Sequence, residues 1–313
     1  MSCPFCNGQR LEVHQKNGRA YSTMFRCADC NRFFSERRFT GYSGLKLPPD
    51  KIARIVHCLV EGVSVRATAR LVGVQKNTVL RVLRHTGRLC QRVVDLRLNN
   101  PRLNYVQVDE LWSYVGKKAD RVLPQERNNG HHVGDIWMFL ATDAGTKLLP
   151  CFALGNRDLT TAERLMSDLA GRLTNRPQIS SDGLRAYLWA VERAFGADVD
   201  FGMLIKSYAE RNGRLELTGA RPRPMIGRPK REQISTSFAE RNNLNCRLFV
   251  RRLTRLTNAF SRRAENLEAA LWTYFAHWNF VRQHTTTRVS AAMAANPTDH
   301  LWTIEDLLNT GIG

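Results

Sequence analysis

Residues 104–116 read NYVQVDELWSYVG, and this stretch decides the fold. Val106 and Val108 alternate with Gln107, then Asp109 and Glu110 interrupt, and residues 111–115 resume the apolar run. A period of two is the pattern of a strand. A carboxylate inside a buried strand is costly unless it binds something. Asp109 is therefore a candidate ligand or catalytic acid. Glu110 points to the opposite strand face and reads as a structural or supporting acid.

Downstream, residues 136–143 (IWMFLATD) and 147–154 (KLLPCFAL) predict two more strands, joined as a meander. Residues 158–170 predict a helix with Ala162, Leu165, Met166 and Leu169 inward. A short strand (QISSD, 178–182) ends at Asp182, Gly183 turns the chain into a helix over 184–195, and residues 199–207 (VDFGMLIKS) form the fifth strand. The order predicts an α/β domain with a mixed five-stranded sheet. If the strands bearing Asp109 and Asp182 are neighbours, two carboxylates face each other, and a divalent cation relieves their repulsion. Oxygen ligands favour Mg²⁺ or Mn²⁺. A third carboxylate is expected from a helix starting at Ser237, where Glu240 lies in the first turns and Phe238, Leu244, Leu248 and Leu256 are spaced for a buried face. Glu210, at the end of the fifth strand, is its rival. Two metal ions held by three carboxylates can polarise a phosphodiester and stabilise the leaving oxygen. Residues 207–232, including RPRPMIGRPKR, read as a polar, basic insertion or loop.

Upstream lie two other units. Cys3, Cys6, Cys27 and Cys30 form CxxC, twenty residues, CxxC. That is the spacing of a four-thiolate structural zinc site, here with a short hairpin between the knuckles. Four thiolates leave no open position, so this zinc is not catalytic. Cys58, Cys90, Cys151 and Cys246 are isolated, and three of these sit among apolar neighbours. Residues 48–90 are helical in pattern. Pro49 and Asp50 open a helix that Gly62 ends, Ser64 caps a second with Ala67, Ala69 and Leu71 inward, Gly73 turns, and a third begins at Asn77 and Thr78. This is a helix-turn-helix, whose third helix would enter the major groove. Gln75, Lys76, Asn77 and Arg81 stand closest to DNA, with Arg84 and His85 also outward.

Lys and Arg number 47 against 28 acids among 313 residues, a net charge of +19. The isoelectric point is near 10.2. Such a balance points to a polyanionic partner, with nucleic acid first. Residues 201–263 hold 15 Lys or Arg against four Glu, a local charge of +11. More than half of the excess thus surrounds the presumed site, as in a phosphate-lined channel. Arg228, Lys230, Arg231, Arg241 and Arg247 join the candidate DNA contacts. Arg241, Arg247, Arg251, Arg252 and Arg255 read as several faces of one helix. No apolar run approaches the roughly 18 residues of a spanning helix. Met1-Ser2-Cys3-Pro4 lacks a basic segment followed by an apolar core, so the expected location is cytoplasmic, on the nucleoid. Trp112, Trp272, Trp278, Trp302 and His277 read as core, and His284 as a possible site-edge residue.

Asp109 within VQVDELWSYVGKK, Asp182 within SSDGLRAY and Glu240 within SFAERNNLNCRLFVRRLTRLTNAFSR resemble the insertion-sequence-one type of DDE transposase. The zinc ribbon, the helix-turn-helix and the closing WTYFAHWNFVRQH (272–284) resemble the same family's layout. The resemblance covers nearly the whole chain. It implies a ribonuclease-H-like catalytic fold, Mg²⁺-dependent cleavage at transposon ends and strand transfer into target DNA, by a homo-oligomer on DNA. The expected organisation is multidomain: a zinc ribbon over 1–42, an all-α helix-turn-helix over 43–100, a catalytic domain over 101–290 with a C-terminal helical part, and a tail over 291–313. A silent DNA-binding regulator and a related nuclease of the same fold are the rival readings.

Overall fold

The structure, a computed structural model, describes residues 1–16, 21–38, 40–126, 132–211 and 213–310. The first unit is a three-stranded antiparallel sheet: β1 (Leu11–Gln15), β2 (Met24–Cys27) and β3 (Phe33–Ser35), in that order. Its fully covered interior consists of Cys3, Cys27 and Phe34, with Phe5, Leu11, Phe25 and Cys30 packed against them.

Three helices follow: α1 (Pro49–Val60), α2 (Val65–Val72) and α3 (Lys76–Arg97). The boundaries have local causes. Proline occupies the start of α1, where its missing N–H costs nothing. The Ser64 hydroxyl accepts from the Ala67 N–H at 3.2 Å, and Gly73 ends α2 with φ +68°. Leu71, expected inward, is exposed, and Thr68, Ala69 and Val72 fill the inner face. One residue is 100° of turn, and α2 is too short to cover both sides of that step.

The second sheet holds β4 (Tyr105–Val115), β5 (Gly134–Asp143), β6 (Phe152–Gly155), β7 (Gln178–Ser181), β8 (Asp200–Arg211) and β9 (Arg214–Ile226) in the order β6-β5-β4-β7-β8-β9. Helix α4 (Leu159–Arg172) joins β6 to β7, and α5 (Ala186–Phe195) joins β7 to β8. β7 runs parallel to β4 and β8, and the remaining pairings are antiparallel. The sheet thus has six strands, not five, and the segment read as a basic loop is mostly β9. Its residues show no apolar alternation because β9 is an edge strand, where Pro222 and Pro224 can sit without breaking an inner ladder. β8 pairs with β7 only through Met203, so the β8–β9 ribbon continues beyond the sheet as two exposed strands. β6 starts at Phe152, later than expected, because Asp143 accepts from the Thr146 N–H and hydroxyl, both at 2.8 Å, and holds a turn there.

Helix α6 (Ser237–Phe249) follows, then α7 (Ala264–Ala276), α8 (Ala291–Ala294) and α9 (Ile304–Asn309). The expected buried face of α6 is the outer one: Phe238, Leu244, Leu248 and Leu256 are exposed, and Ala239, Asn242 and Cys246 face inward. Polar anchors set this orientation. Gln107 Oε1 accepts from the N–H groups of Phe238 (2.8 Å) and Ala239 (3.2 Å), and Asn242 donates to Thr142 Oγ1 at 3.0 Å. The helix also stops at Phe249, so Arg251 and Arg252 lie in a separate 3₁₀ turn.

One apolar core runs from Tyr42 through α1–α3 and the second sheet to Leu308. The described part of 291–313 belongs to it: Ile304, Leu307 and Leu308 are fully buried, and the Gly41 N–H donates to the Leu308 carbonyl at 2.7 Å. Trp272, Trp278, Trp302, His277 and His284 are buried, and Trp112 is half-buried. His284 Nε2 lies 3.2 Å from the Trp278 carbonyl, which makes it a core residue. Among the described residues no helix is long and apolar enough to cross a membrane.

The α1–α3 unit meets the rest where α3 crosses α7. A Cβ added at Gly87 would lie 2.6 Å from the Cα and Cβ of Ala269. Gly87→Val should destabilise the protein by about 3 kcal/mol, through overpacking that backbone must absorb. An unchanged urea midpoint would show that the two helices do not approach this closely.

Candidate active site and metal centres

The four ribbon cysteines come together as their spacing predicts. Cys3 Sγ is 3.5 Å from Cys30 Sγ, Cys6 Sγ is 3.6 Å from Cys27 Sγ, and all four sulfurs lie within 4.8 Å of one another. A tetrahedron with Zn–S bonds of ~2.3 Å has edges of about 3.8 Å, so the donor set could hold zinc. Each knuckle closes the same way. Asn7 and Asn31, one residue past the second cysteine of each pair, both take φ +57°, a left-handed setting that asparagine tolerates. Their N–H groups donate to the carbonyls of Cys3 (2.9 Å) and Cys27 (2.8 Å).

The second cluster forms where β7 ends. β4 pairs with β7 only over Tyr105–Gln107, so among the described residues the strand edge beside Asp109 and Glu110 has no strand partner on that side. Asp182, the residue after β7, sits there, its Oδ1 accepting from the Leu184 N–H at 3.0 Å. Carboxylate oxygens of Asp109, Glu110 and Asp182 lie within 4.8 Å of one another. Asp109 faces α6, where Asn243 Nδ2 donates to its Oδ2 at 2.8 Å. Glu110 leaves the other face, as the alternation predicts: Arg157 Nε donates to it at 2.8 Å and the buried Tyr187 hydroxyl of α5 at 3.2 Å. Its side chain is only 3% exposed. The two faces meet at Asp182 because no strand separates them beyond Gln107. Glu110 is thus a member of the cluster, and the adjacent acids in sequence were its only signal.

Burial, and then the charges of Glu110, Asp182 and Glu240, push the Asp109 carboxyl up to about 7. Burial and Asp182 also raise Glu110, against the pull of Arg157. Three crowded carboxylates form a hard-oxygen set that could hold a divalent cation.

Glu240 stands on α6, one turn before Asn243, outside the 4.8 Å cluster. It accepts from Thr236 Oγ1 at 2.8 Å and pairs with Lys206 of β8. Burial would raise its carboxyl, but Lys206 and Thr236 hold it below the ordinary value. Its side chain is 47% exposed. Glu210 is seven residues past Met203, the last β8 residue paired with β7, and so about 23 Å further along the ribbon.

The candidate DNA contacts divide. Gln75, Lys76, Asn77 and Arg81 are exposed at the start of α3, and Arg228, Lys230, Arg231 and Arg241 are exposed around the second sheet. Arg84 and Arg247 are turned inward, Arg84 onto Asn266 Oδ1 (3.2 Å) and Arg247 onto the Leu253 carbonyl (3.2 Å). His85, read as outward, is half-buried, and burial lowers its pKa.

No family model matches the chain. Among solved structures, the chain is similar to a piggyBac transposase in a synaptic complex with hairpin DNA, at 8% identity and a TM-score of 0.37, with 86% of this chain and 70% of that one covered. At that score the likeness bears on no residue and no chemical step.

Proposed function

We propose that the chain is a DNA transposase that binds transposon ends, cleaves them and transfers the freed 3′-hydroxyl strands into target DNA. The observation that carries this reading is the convergence of Asp109, Glu110 and Asp182 at an open strand edge, flanked by a segment of local charge +11. Asp109 and Asp182 are the metal-holding acids, and Glu240 is the third. Glu110, pinned by Arg157 and Tyr187, sets the charge and position of the other two. When bound, Mg²⁺ or Mn²⁺, two ions in the full site, supplies charge on the scissile phosphate and an activated water or 3′-hydroxyl.

The chain's own work is positioning and charge placement. Asn243 holds Asp109 by hydrogen bonding one of its oxygens, which leaves the other toward Asp182. Glu240 reaches the site by leaving Lys206. That exchange is cheap, because a half-exposed ion pair contributes about 1 kcal/mol or less. The released Lys206 then faces the DNA backbone. Gln75, Lys76, Asn77 and Arg81 read the terminal repeat while the ribbon grips beside them, and a homo-oligomer joins two ends.

The test is an end-cleavage and joining assay with Mg²⁺ on DNA carrying the inverted repeats that flank the gene. Glu240→Gln should lose at least about 10²-fold in both cutting and joining, and Glu210→Gln should stay near the parental rate. Joined products separate a transposase from a nuclease of the same fold. Absence of both products with intact DNA binding would favour a silent regulator and sink the reading.

A further inference from the structure

A cleft of about 740 Å³ lies between the helix-turn-helix and the segments 250–252 and 257–262. Leu59 and Leu83 belong to its apolar wall. Five of its lining residues are cations, Arg66, Lys76, Arg251, Arg252 and Arg262, and none is acidic. Among the described residues none of the five is ion-paired. Arg252 is the half-buried one; the other four are exposed. Its Nη1 donates to Ser261 Oγ at 2.8 Å, while its Nη2 is buried and has no partner among the described residues. Burial lowers its pKa to about 10, and no carboxylate offsets that.

A buried guanidinium without a counter-charge is costly. Here it lines a cleft that four other cations also line, with a buried donor that has no acceptor among the described residues. We propose that the cleft seats backbone phosphate of DNA, with Arg252 as the anchor and Arg66, Lys76, Arg251 and Arg262 around it. The proposal rests on the reading of α3 as a DNA-binding helix. Lys76 is both a lining residue and the first residue of α3, whose exposed face continues through Asn77 and Arg81. A duplex seated on α3 carries its phosphates past the mouth of the cleft. Because Nη2 is covered and Nη1 holds Ser261, the Arg252 side chain shifts toward the cleft before its fork takes phosphate oxygens two at a time. The space exceeds one phosphate, and the adjoining sugars fit against the apolar wall. A regularly spaced polyanion can also engage several of the five cations together. The seat links the DNA-reading helices to the chain just after α6, the helix bearing Glu240.

The experiment is a salt titration of binding between the full zinc-loaded chain and a fluorescein-labelled duplex of arbitrary sequence. Arg252→Gln should weaken binding about tenfold near 0.1 M salt and lower the slope of log affinity against log salt by about one. Arg252→Lys should keep the slope and recover part of the affinity. Arg262→Gln, at an exposed position, should act in the same direction and carries the test if Arg252→Gln does not fold. Parental affinity and slope in both glutamine variants, with binding weakened by Arg81→Ala, would overturn the cleft but leave the α3 reading standing. Binding unchanged in Arg81→Ala and Asn77→Ala as well would show that the α3 reading itself is wrong. If Arg252→Gln changed only the response to inorganic phosphate, or to a polyglutamate peptide, the occupant would be another anion and the DNA assignment would fall.

Discussion

Asp109→Asn and Asp182→Asn proteins are expected to bind duplex DNA as the parent does and to cut it at least about 10³-fold more slowly. Asp109 lies within β4 and Asp182 directly follows β7, at the point where β7 stops pairing with β4, so neither can be replaced by a nearby carboxylate without moving a strand. The amide keeps the shape and the Asn243 contact but removes the charge a cation needs. Stability should move the other way. Burial and then Glu110 raise the Asp109 carboxyl to about 7 in the folded chain, from an ordinary 3.8. A carboxyl whose value rises on folding favours the folded state only at low pH; that contribution is lost as pH climbs from about 4 to about 7. At pH 8 the ionised acid is a net cost, and Asp109→Asn removes it. In chelator at pH 8 the variant should therefore melt a few degrees above the parent. Adding Mg²⁺ should raise the parent's melting temperature and leave the variant's nearly unchanged. Equal stabilisation of both by Mg²⁺ would remove Asp109 from the metal site.

Removing zinc should unfold the ribbon and nothing else. The ribbon's own interior amounts to Cys3, Cys27 and Phe34 with four partly covered neighbours, far too little apolar burial to order its three strands. Zinc binding in such units is worth about 10–16 kcal/mol, which is in effect their folding free energy. Strong chelation, or Cys27→Ser, should release one zinc per chain and abolish amide protection through β1–β3. Protection in α1, α3 and β4–β5 should persist, because their core is continuous and contains no residue of β1–β3 or of the cysteine knuckles. Binding to end DNA should weaken about tenfold or more as the ribbon's contacts are lost. Protection of β2 in the metal-free protein would contradict this account, as would a zinc content other than one.

The local features were legible because they have short-range causes. CxxC pairs, the Ser64 cap, the left-handed Gly73 and the valine alternation around Asp109 each act over a few residues. Asp109 and Asp182 stood out for the same reason: an acid in or ending an apolar strand is conspicuous. Less was legible where burial is decided by partners distant in sequence. Phe238, Leu244 and Leu248 have the spacing of a buried face, yet Gln107 and Thr142 dock the polar side of α6 and turn the leucines out. β9 escaped notice because an edge strand with both faces wet carries no alternation. The segment after residue 290 read as a tail, yet Ile304, Leu307 and Leu308 close the core beside α1 and α3.

For this chain, the order of residues by itself determined the four-cysteine cluster, the boundaries of α1 and α2 and which strands carry acids, since propensity, capping and ligand spacing are written locally. Tertiary structure decided which acids meet and which arginines are free. Glu110 joins Asp109 and Asp182 only because β7 ends where it does. Arg84 and Arg247 are turned inward, while Arg252 keeps an unpartnered donor. Such outcomes depend on distances between residues about 70 to 180 positions apart, and electrostatic and desolvation energies follow those distances, not the sequence separation.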